Sequence, residues 1–207
     1  MKKSPLIGLI LAGGVAKRFG GGKCLAKLGD NPLIFWVYHS LSAVCPEIWL
    51  SLRKHEKAYE NLRPRFEKIL LDKYPGTGPA AAISAALEKA QRPLLVAPCD
   101  QPFILPLLLK GLINTWEKDP HLETVIFKDE TGRLLPFPGI YGRGNPEPQG
   151  LSLRALIEQT RYLIVEPRIW RKWDPQGLSF FNVNRKEDLK RATEILKDPA
   201  ALKSLSL

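Results

Sequence analysis

The sequence predicts an α/β domain whose mostly parallel sheet carries helices on both faces. Three observations lead there. The chain has 207 residues, 44% of them hydrophobic, enough to bury one proper core. Its first half alternates short apolar runs with helical stretches at close intervals. Those runs are apolar throughout and bounded by turn signals, as strands buried on both faces are.

The elements follow in order. Leu6 to Ala12 reads as a buried strand ending at Gly13-Gly14. Pro32 opens an apolar-periodic helix from about Leu33 to Val44, by the signal of proline in the first turn. Ile48 to Leu52 is a second strand, followed by a polar helical stretch from about His55 to Glu67, interrupted near Pro64. Ile69 to Leu71 is a brief third strand ending at Asp72. "YPGTGPAAAISAALEKA" is a turn leading into an alanine-rich helix, "RPLLVAPCD" is a fourth buried strand, and Pro106 to Trp116 is another helix. After residue 120 the pattern loosens. Thr124 to Phe127, Leu134 to Tyr141 and Tyr162 to Glu166 read as strands, while Ser152 to Thr160 and Lys186 to Lys197 read as helices. No internal repeat or disordered linker interrupts them.

Composition excludes several classes. No apolar stretch reaches the roughly 20 residues of a membrane helix. Lys2 and Lys3 precede an apolar run, as in a secretory signal. That run is short, ends in Gly-Gly and basic residues, and has no small-residue cleavage pattern. Cys24, Cys45 and Cys99 are odd in number and widely spaced, which argues against a disulfide framework or a cysteine zinc site and for a reducing, cytoplasmic setting. The net charge of +10 would serve a nucleic acid or a small anionic substrate, and its dispersal among acidic residues does not choose between them.

In an open α/β sheet, ligands bind outside the carboxyl ends of the strands. The glycine-rich loop "GGVAKRFGGGK", Asp72 and Asp100 all fall at such ends, so three distant segments converge on one crevice. The loop has neither the G-x-G-x-x-G spacing nor the Walker A pattern, where Lys17 replaces a glycine and Cys24 the Ser/Thr. Its glycines nonetheless let backbone N–H groups approach a phosphate, to which Arg18 and Lys23 would add charge-assisted bonds. Asp100 ends an apolar run, where a carboxylate is costly unless paired or metal-bound; magnesium takes one or two carboxylates plus substrate phosphates. A helix cap or turn role is the alternative for Asp100, and a turn role for Asp72. His39, His55 and His121 are scattered, and no hydrolase, zinc-protease or kinase signature is present. Phosphoryl or nucleotidyl transfer needs no such set when the attacking group is already a phosphate anion.

On these residues the sequence resembles the molybdenum cofactor guanylyltransferases, whose opening signature L-A-G-G-x-x-x-R-[MF]-G-x-x-K is complete here from Leu11 to Lys23. "YPGTGPAAAISAALE" resembles the family's G-P-L-A-G-I segment, with Ala81 and Ala82 departing from Ala-Gly. "APCDQPF" and "FFNVNRKEDL" match two further elements, so the resemblance spans about residues 6 to 191. It implies a single-domain three-layer Rossmann-like nucleotidyltransferase fold with a nucleotide-binding half to about residue 118. A second-substrate half with a C-terminal helix would follow. It implies contacts to GTP from the backbone of Leu11, Ala12 and Gly13, from Lys23 to the phosphates, and from Asp72 and Asp100. Arg18 would lie near the reacting phosphates, Asp100 would hold Mg2+ with Asn184 as a second ligand, and Asn182 and Asn184 would face the pterin. Ser51 stands where relatives often carry asparagine, which shortens the reach of that contact.

The implied reaction is GMP transfer from GTP to the terminal phosphate of molybdenum-loaded molybdopterin, with loss of pyrophosphate. Transient contact with molybdopterin-delivering or molybdoenzyme-maturation proteins accompanies that role; nucleic-acid and membrane partners do not. "RIWRKWDPQG", residues 168 to 177, mixes cations with Trp170 and Trp173 and suits either a flat anionic pterin or a solvated surface turn. Three alternatives stand beside this reading: a CTP-dependent molybdopterin cytidylyltransferase, kept open by the altered Ala81-Ala82 and disfavoured by Gly13-Gly14; another small-phosphate nucleotidyltransferase; and a non-catalytic nucleotide or nucleic-acid binding module. The last is disfavoured by Lys23 and Asp100, since pure binding needs no metal carboxylate.

Overall fold

The computed structural model describes residues 5–13, 19, 22–53, 59, 65–72, 78–142 and 152–198. Its centre is a seven-stranded sheet in the order β5-β4-β1-β6-β8-β7-β9. These strands are β1 (Ile7–Leu11), β4 (Glu47–Leu52), β5 (Lys68–Leu71), β6 (Leu94–Pro98), β7 (Thr124–Lys128), β8 (Leu134–Tyr141) and β9 (Tyr162–Val165). A two-stranded hairpin of β2 (Lys27–Leu28) and β3 (Asn31–Pro32) lies apart. β5, β4, β1 and β6 are mutually parallel, β8 runs antiparallel to both β6 and β7, and β9 is parallel to β7. The sheet is therefore mostly parallel, with one reversed strand.

Side chains alternate across this sheet, so a strand buried on both sides feeds two cores. In β1, Leu9 and Ile7 join one cluster and Ile10 the other; in β6, Leu94 and Val96 oppose Leu95 and Ala97. One face is covered by α1 (Leu33–Ser42) and α3 (Pro106–Glu117), the other by α2 (Pro79–Ala90) and α4 (Leu153–Glu158). Gly8 on β1 has no room for a side chain, because a Cβ there would lie 2.6 Å from the Ile48 Cδ1 and 3.4 Å from Leu41 of α1. α2 and α3 each begin with a proline in the first turn, where the missing N–H costs no helical bond. The strands and helices predicted after residue 120 also lie within two residues of their observed bounds, α4 included, which starts one residue after Ser152 and ends two before Thr160. The helix expected over residues 55–67 falls mostly outside the described residues.

A third cluster sits beyond the carboxyl ends of the strands. There α6 (Lys186–Ile195) packs Ala192, and with it Val183, against Leu28, Leu33 and Phe103. This small core fastens the end of the described chain over the sheet edge where the candidate residues lie.

Residues 168–177 are part surface and part core: Arg168, Arg171 and Lys172 are exposed, as a solvated turn requires, while Trp170 and Asp174 are buried. A short helix α5 (Pro167–Trp170) buries Trp170 to 2% exposure, with its indole N–H donating to the Lys128 carbonyl at 2.9 Å and its ring edge-on to Phe180. Asp174 is fully buried and accepts from the backbone N–H groups of Leu178 and Ser179; the Ser179 hydroxyl in turn accepts from Leu105 N at the start of α3. The segment is a fastening that carries the chain toward Asn182 and Asn184. Composition suggested a ligand face because the same aromatics serve a stack or a core, and periodicity over ten residues cannot separate the two.

Candidate active site

The register of the sheet assembles the site. Leu11 of β1 pairs with Ser51 of β4 on one side and Pro98 of β6 on the other, so the three strands end level. Backbone bonds continue the alignment one residue further: Ala12 N–H donates to the Ser51 carbonyl at 2.8 Å, Asp72 N–H to the Leu52 carbonyl at 2.8 Å, and Cys99 N–H to the Leu11 carbonyl at 3.0 Å. Gly13, Asp72 and Asp100 are thus delivered to one edge. A cleft of about 310 Å3 opens there, and Leu11, Gly13, Lys23, Ser51, Asp72 and Asp100 all line it. Ala12 does not; its N–H is spent on Ser51 and its side chain packs against the core.

Lys23 and Asp100 form the charged centre. The Lys23 ammonium donates to Asp100 Oδ2 at 2.5 Å, with both side chains 14% exposed. The same ammonium lies 3.4 Å from Asn184 Oδ1. Asn184 is held by the Asp188 carboxylate, which accepts from the backbone N–H groups of Asn184 and Arg185 at the start of α6. Asn182 takes a different direction: it is exposed, and its amide donates to the Phe180 carbonyl at 2.8 Å. Of the two asparagines, only Asn184 touches the charged pair. Arg18 and Gly14 lie outside the described residues.

Asp72 occupies the opposite wall. A Cβ on Gly13 would lie 3.1 Å from Asp72 Oδ2 and 3.2 Å from Arg53 N, so the carboxylate sits directly against the glycine backbone. Partial burial raises the Asp72 pKa above the ordinary 3.8, and the Arg53 guanidinium opposes that rise without cancelling it.

The donor set at Asp100 fits a hard divalent cation. Asp100 Oδ1 is buried and has no hydrogen-bond partner, while Lys23 occupies only Oδ2. Among the described residues there is no cluster of three or more His, Cys, Asp or Glu. A cation here would therefore rest on one carboxylate, an amide oxygen, water and ligand phosphates, which is how Mg2+ is commonly bound.

Several lining residues escaped the sequence reading. Phe137 of β8 enters the cleft, and Gln101 Nε2 donates to its carbonyl at 3.4 Å. Gly78 and Pro79 bring the N-terminus of α2 to the rim, Gly78 in the left-handed region at φ +89°. The available signal was "GTGP", a turn opening a helix after a strand end. The cysteines correct an expectation outright: Cys24 and Cys99 are joined in a disulfide, with Cα atoms 5.5 Å apart. Counting cysteines along the chain argued against one; the adjacency of β1 and β6 brings the two loops together in space.

Over residues 8–172 the sequence matches the MobA-like NTP transferase domain family. It is 31% identical over 203 residues to the probable molybdenum cofactor guanylyltransferase of Halalkalibacterium halodurans, spanning 90% of this chain and 97% of that protein. It is 27% identical to the molybdenum cofactor guanylyltransferase of Desulfosudis oleivorans, spanning 92% and 95%. The crystal structure of molybdopterin-guanine dinucleotide biosynthesis protein A from Archaeoglobus fulgidus superposes with a TM-score of 0.76 at 30% identity, covering 93% of this chain and 99% of that one. A CMP:2-keto-3-deoxy-manno-octonic acid synthetase shares the fold alone, at TM-score 0.67 and 14% identity. With the complete opening signature and a cleft built on it, the chain belongs to the MobA-like NTP transferase family, among the molybdenum cofactor guanylyltransferases.

Proposed function

We propose that this protein transfers GMP from GTP to the terminal phosphate of molybdenum-loaded molybdopterin, releasing pyrophosphate and forming the guanine dinucleotide cofactor. The observation that carries the reading is the meeting of Lys23, Asp100 and Asn184 at the mouth of a cleft bounded by the ends of β1, β4 and β6. A phosphate oxygen of molybdopterin attacks the α-phosphorus, the new P–O bond forms, and the bond to the bridging oxygen breaks as pyrophosphate leaves with its electron pair. No side chain has to remove a proton, because the attacking oxygen is already anionic.

The chain's own task is positioning and charge balance. The Lys23 ammonium, already anchored on Asp100, has further donors to turn toward phosphate oxygens. The α2 N-terminus at Gly78 and Pro79 adds its partial positive charge to the rim. Asp72 accepts hydrogen bonds from the nucleoside, against a backbone at Gly13 that leaves the ligand close approach. Arg18 belongs to the same phosphate-binding loop by its place in the signature. Mg2+ held at Asp100, with Asn184 as second ligand, would neutralise phosphate charge when bound. Asn182 and Asn184 border the side from which the pterin enters. The cytoplasm, where GTP is abundant, is the proposed setting; no described helix is long and apolar enough to cross a membrane.

Calorimetry with GTP, CTP and ATP in the presence of Mg2+ tests this. The reading expects GTP to bind at least tenfold more tightly than the others, a difference of about 1.4 kcal/mol. Preference for CTP would assign the protein to cytidylyl transfer on the same site.

A further inference from the structure

The disulfide lies within the proposed catalytic centre. Cys24 directly follows Lys23, and Cys99 directly precedes Asp100, so the bond joins the two backbone segments that carry the ion pair. Both cysteines line the nucleotide cleft, and their residues are 5% and 4% exposed. The two segments come from different crossovers, 75 residues apart in sequence. Noncovalently, the Lys23 segment is held by the ion pair to Asp100, by the contact with Asn184 and by Cys24 and Leu25 packed in the core. The backbone bonds of its one-turn helix Lys23–Leu25 run locally, to Gly22 and Lys23, so the disulfide is the covalent tie between this segment and the end of β6.

We propose that Cys24 and Cys99 form a redox latch: their disulfide pre-organises Lys23 and Asp100 for GTP, and reduction loosens the phosphate-binding segment and weakens the site. This inference rests on the placement of GTP in the cleft. The chemistry is thiol–disulfide exchange with a low-molecular-weight couple. On oxidation the two thiols give up two protons and two electrons to R–S–S–R, forming one S–S bond and releasing two R–SH; a dithiol reverses the change. In a reducing compartment the usual disulfide is a transient, redox-responsive one, whereas permanent staples are typical of oxidising surroundings. The latch works on affinity because a ligand that meets an already ordered loop does not meet the cost of ordering it. Cys45 is buried just after α1, its N–H donating to the Leu41 carbonyl, and takes no part in the disulfide, so it serves as the internal control.

The test compares the purified protein after oxidation with a small disulfide and after reduction with a dithiol. Under denaturing conditions the oxidised form should expose one titratable thiol and the reduced form three, in line with three cysteines and one outside the disulfide. Calorimetry should give a GTP dissociation constant roughly three- to tenfold higher for the reduced form, the size of effect that pre-organising a short loop confers. Hydrogen exchange without any ligand should be faster at residues 22–26 in the reduced form. Cys24→Ser and Cys99→Ser should each match reduced wild type and ignore the dithiol, while Cys45→Ser should respond as wild type does. Three thiols after oxidation, or equal exchange in the two forms, would overturn the latch. Equal GTP affinity with different exchange would overturn its effect on the site. If neither form bound GTP, the guanylyl-transfer reading would fail, and the exchange comparison alone would decide whether the disulfide orders the loop.

Discussion

The backbone N–H of Val183 donates to the carbonyl oxygen of Asp100 at 2.8 Å, tying the last motif of the chain to the carboxylate loop after β6. Val183 itself is fully buried in the third core cluster. The bond fixes the level at which the next residue, Asn184, leaves that cluster, and so places its amide beside the Lys23 ammonium. The charged centre is therefore completed by a segment that belongs to neither the parallel half of the sheet nor its crossovers.

Asp100→Asn removes the charge that holds Lys23 and the oxygen left open for a cation. Turnover should fall by about 10²- to 10³-fold, as when other charge-stabilising groups are lost. The melting temperature should hold, because the side chain contributes nothing to the apolar cores. Pyrophosphate release and thermal denaturation, run side by side, check both halves.

Lys23→Ala leaves Asp100 without its partner and the phosphates without an ammonium. The GTP dissociation constant should rise about tenfold or more, since hydrogen bonds to charged groups are worth ~1.5–3 kcal/mol. Lys23→Ala and Asp100→Asn should be non-additive in turnover, because each removes the same ion pair.

The raised pKa of Asp72 gives a pH signature. Between 3.8 and its higher folded value, the folded protein holds more protons on this group than the unfolded chain does. Its contribution to stability therefore falls as pH rises through that window and is smallest above it. Nucleotide affinity runs the other way: the ionised carboxylate is the acceptor, so affinity should drop on acidification, beginning above the range of an ordinary aspartate. Calorimetric titrations of GTP across acidic pH should show this drop in wild type and lose it in Asp72→Asn.

Gly13→Ala tests the close approach at the cleft wall. A Cβ 3.1 Å from Asp72 Oδ2 and 3.2 Å from Arg53 N requires those groups to give by a few tenths of an ångström. GTP affinity should fall severalfold, about 1 kcal/mol, more than the change in stability, and a paired measurement of affinity and melting separates the two.

Trp170→Ala should do the opposite. Emptying a site of 2% exposure and removing the hydrogen bond to the Lys128 carbonyl should cost about 3–5 kcal/mol of stability, with the GTP dissociation constant unchanged in the protein that remains folded. A ligand-stacking role would instead leave stability intact.

What the sequence made legible follows from physical range. The parallel strands and α2 and α3 were readable to within a residue or two, because apolar runs buried on both faces and first-turn prolines are local signals. The convergence of Gly13, Asp72 and Asp100 was readable from topology alone. The contact of Asn184 with Lys23 was not, since it depends on how α6 packs on the β2–β3 hairpin; only the motif resemblance pointed to it. Phe137 was hidden because β8 is the reversed strand, and its start lies at the edge where the parallel strands end. The pairing of Cys24 with Cys99 follows from the same convergence that brings Lys23 to Asp100, because each cysteine is the chain neighbour of one member of that pair.

The most direct measurement is pyrophosphate release by the purified protein with Mg2+ and molybdenum-loaded molybdopterin, comparing GTP with CTP. Release that requires the pterin, proceeds with GTP at least tenfold faster than with CTP, and yields the guanine dinucleotide is the predicted result. Release with CTP in preference, or none with either nucleotide in a protein that binds both substrates, would contradict the account.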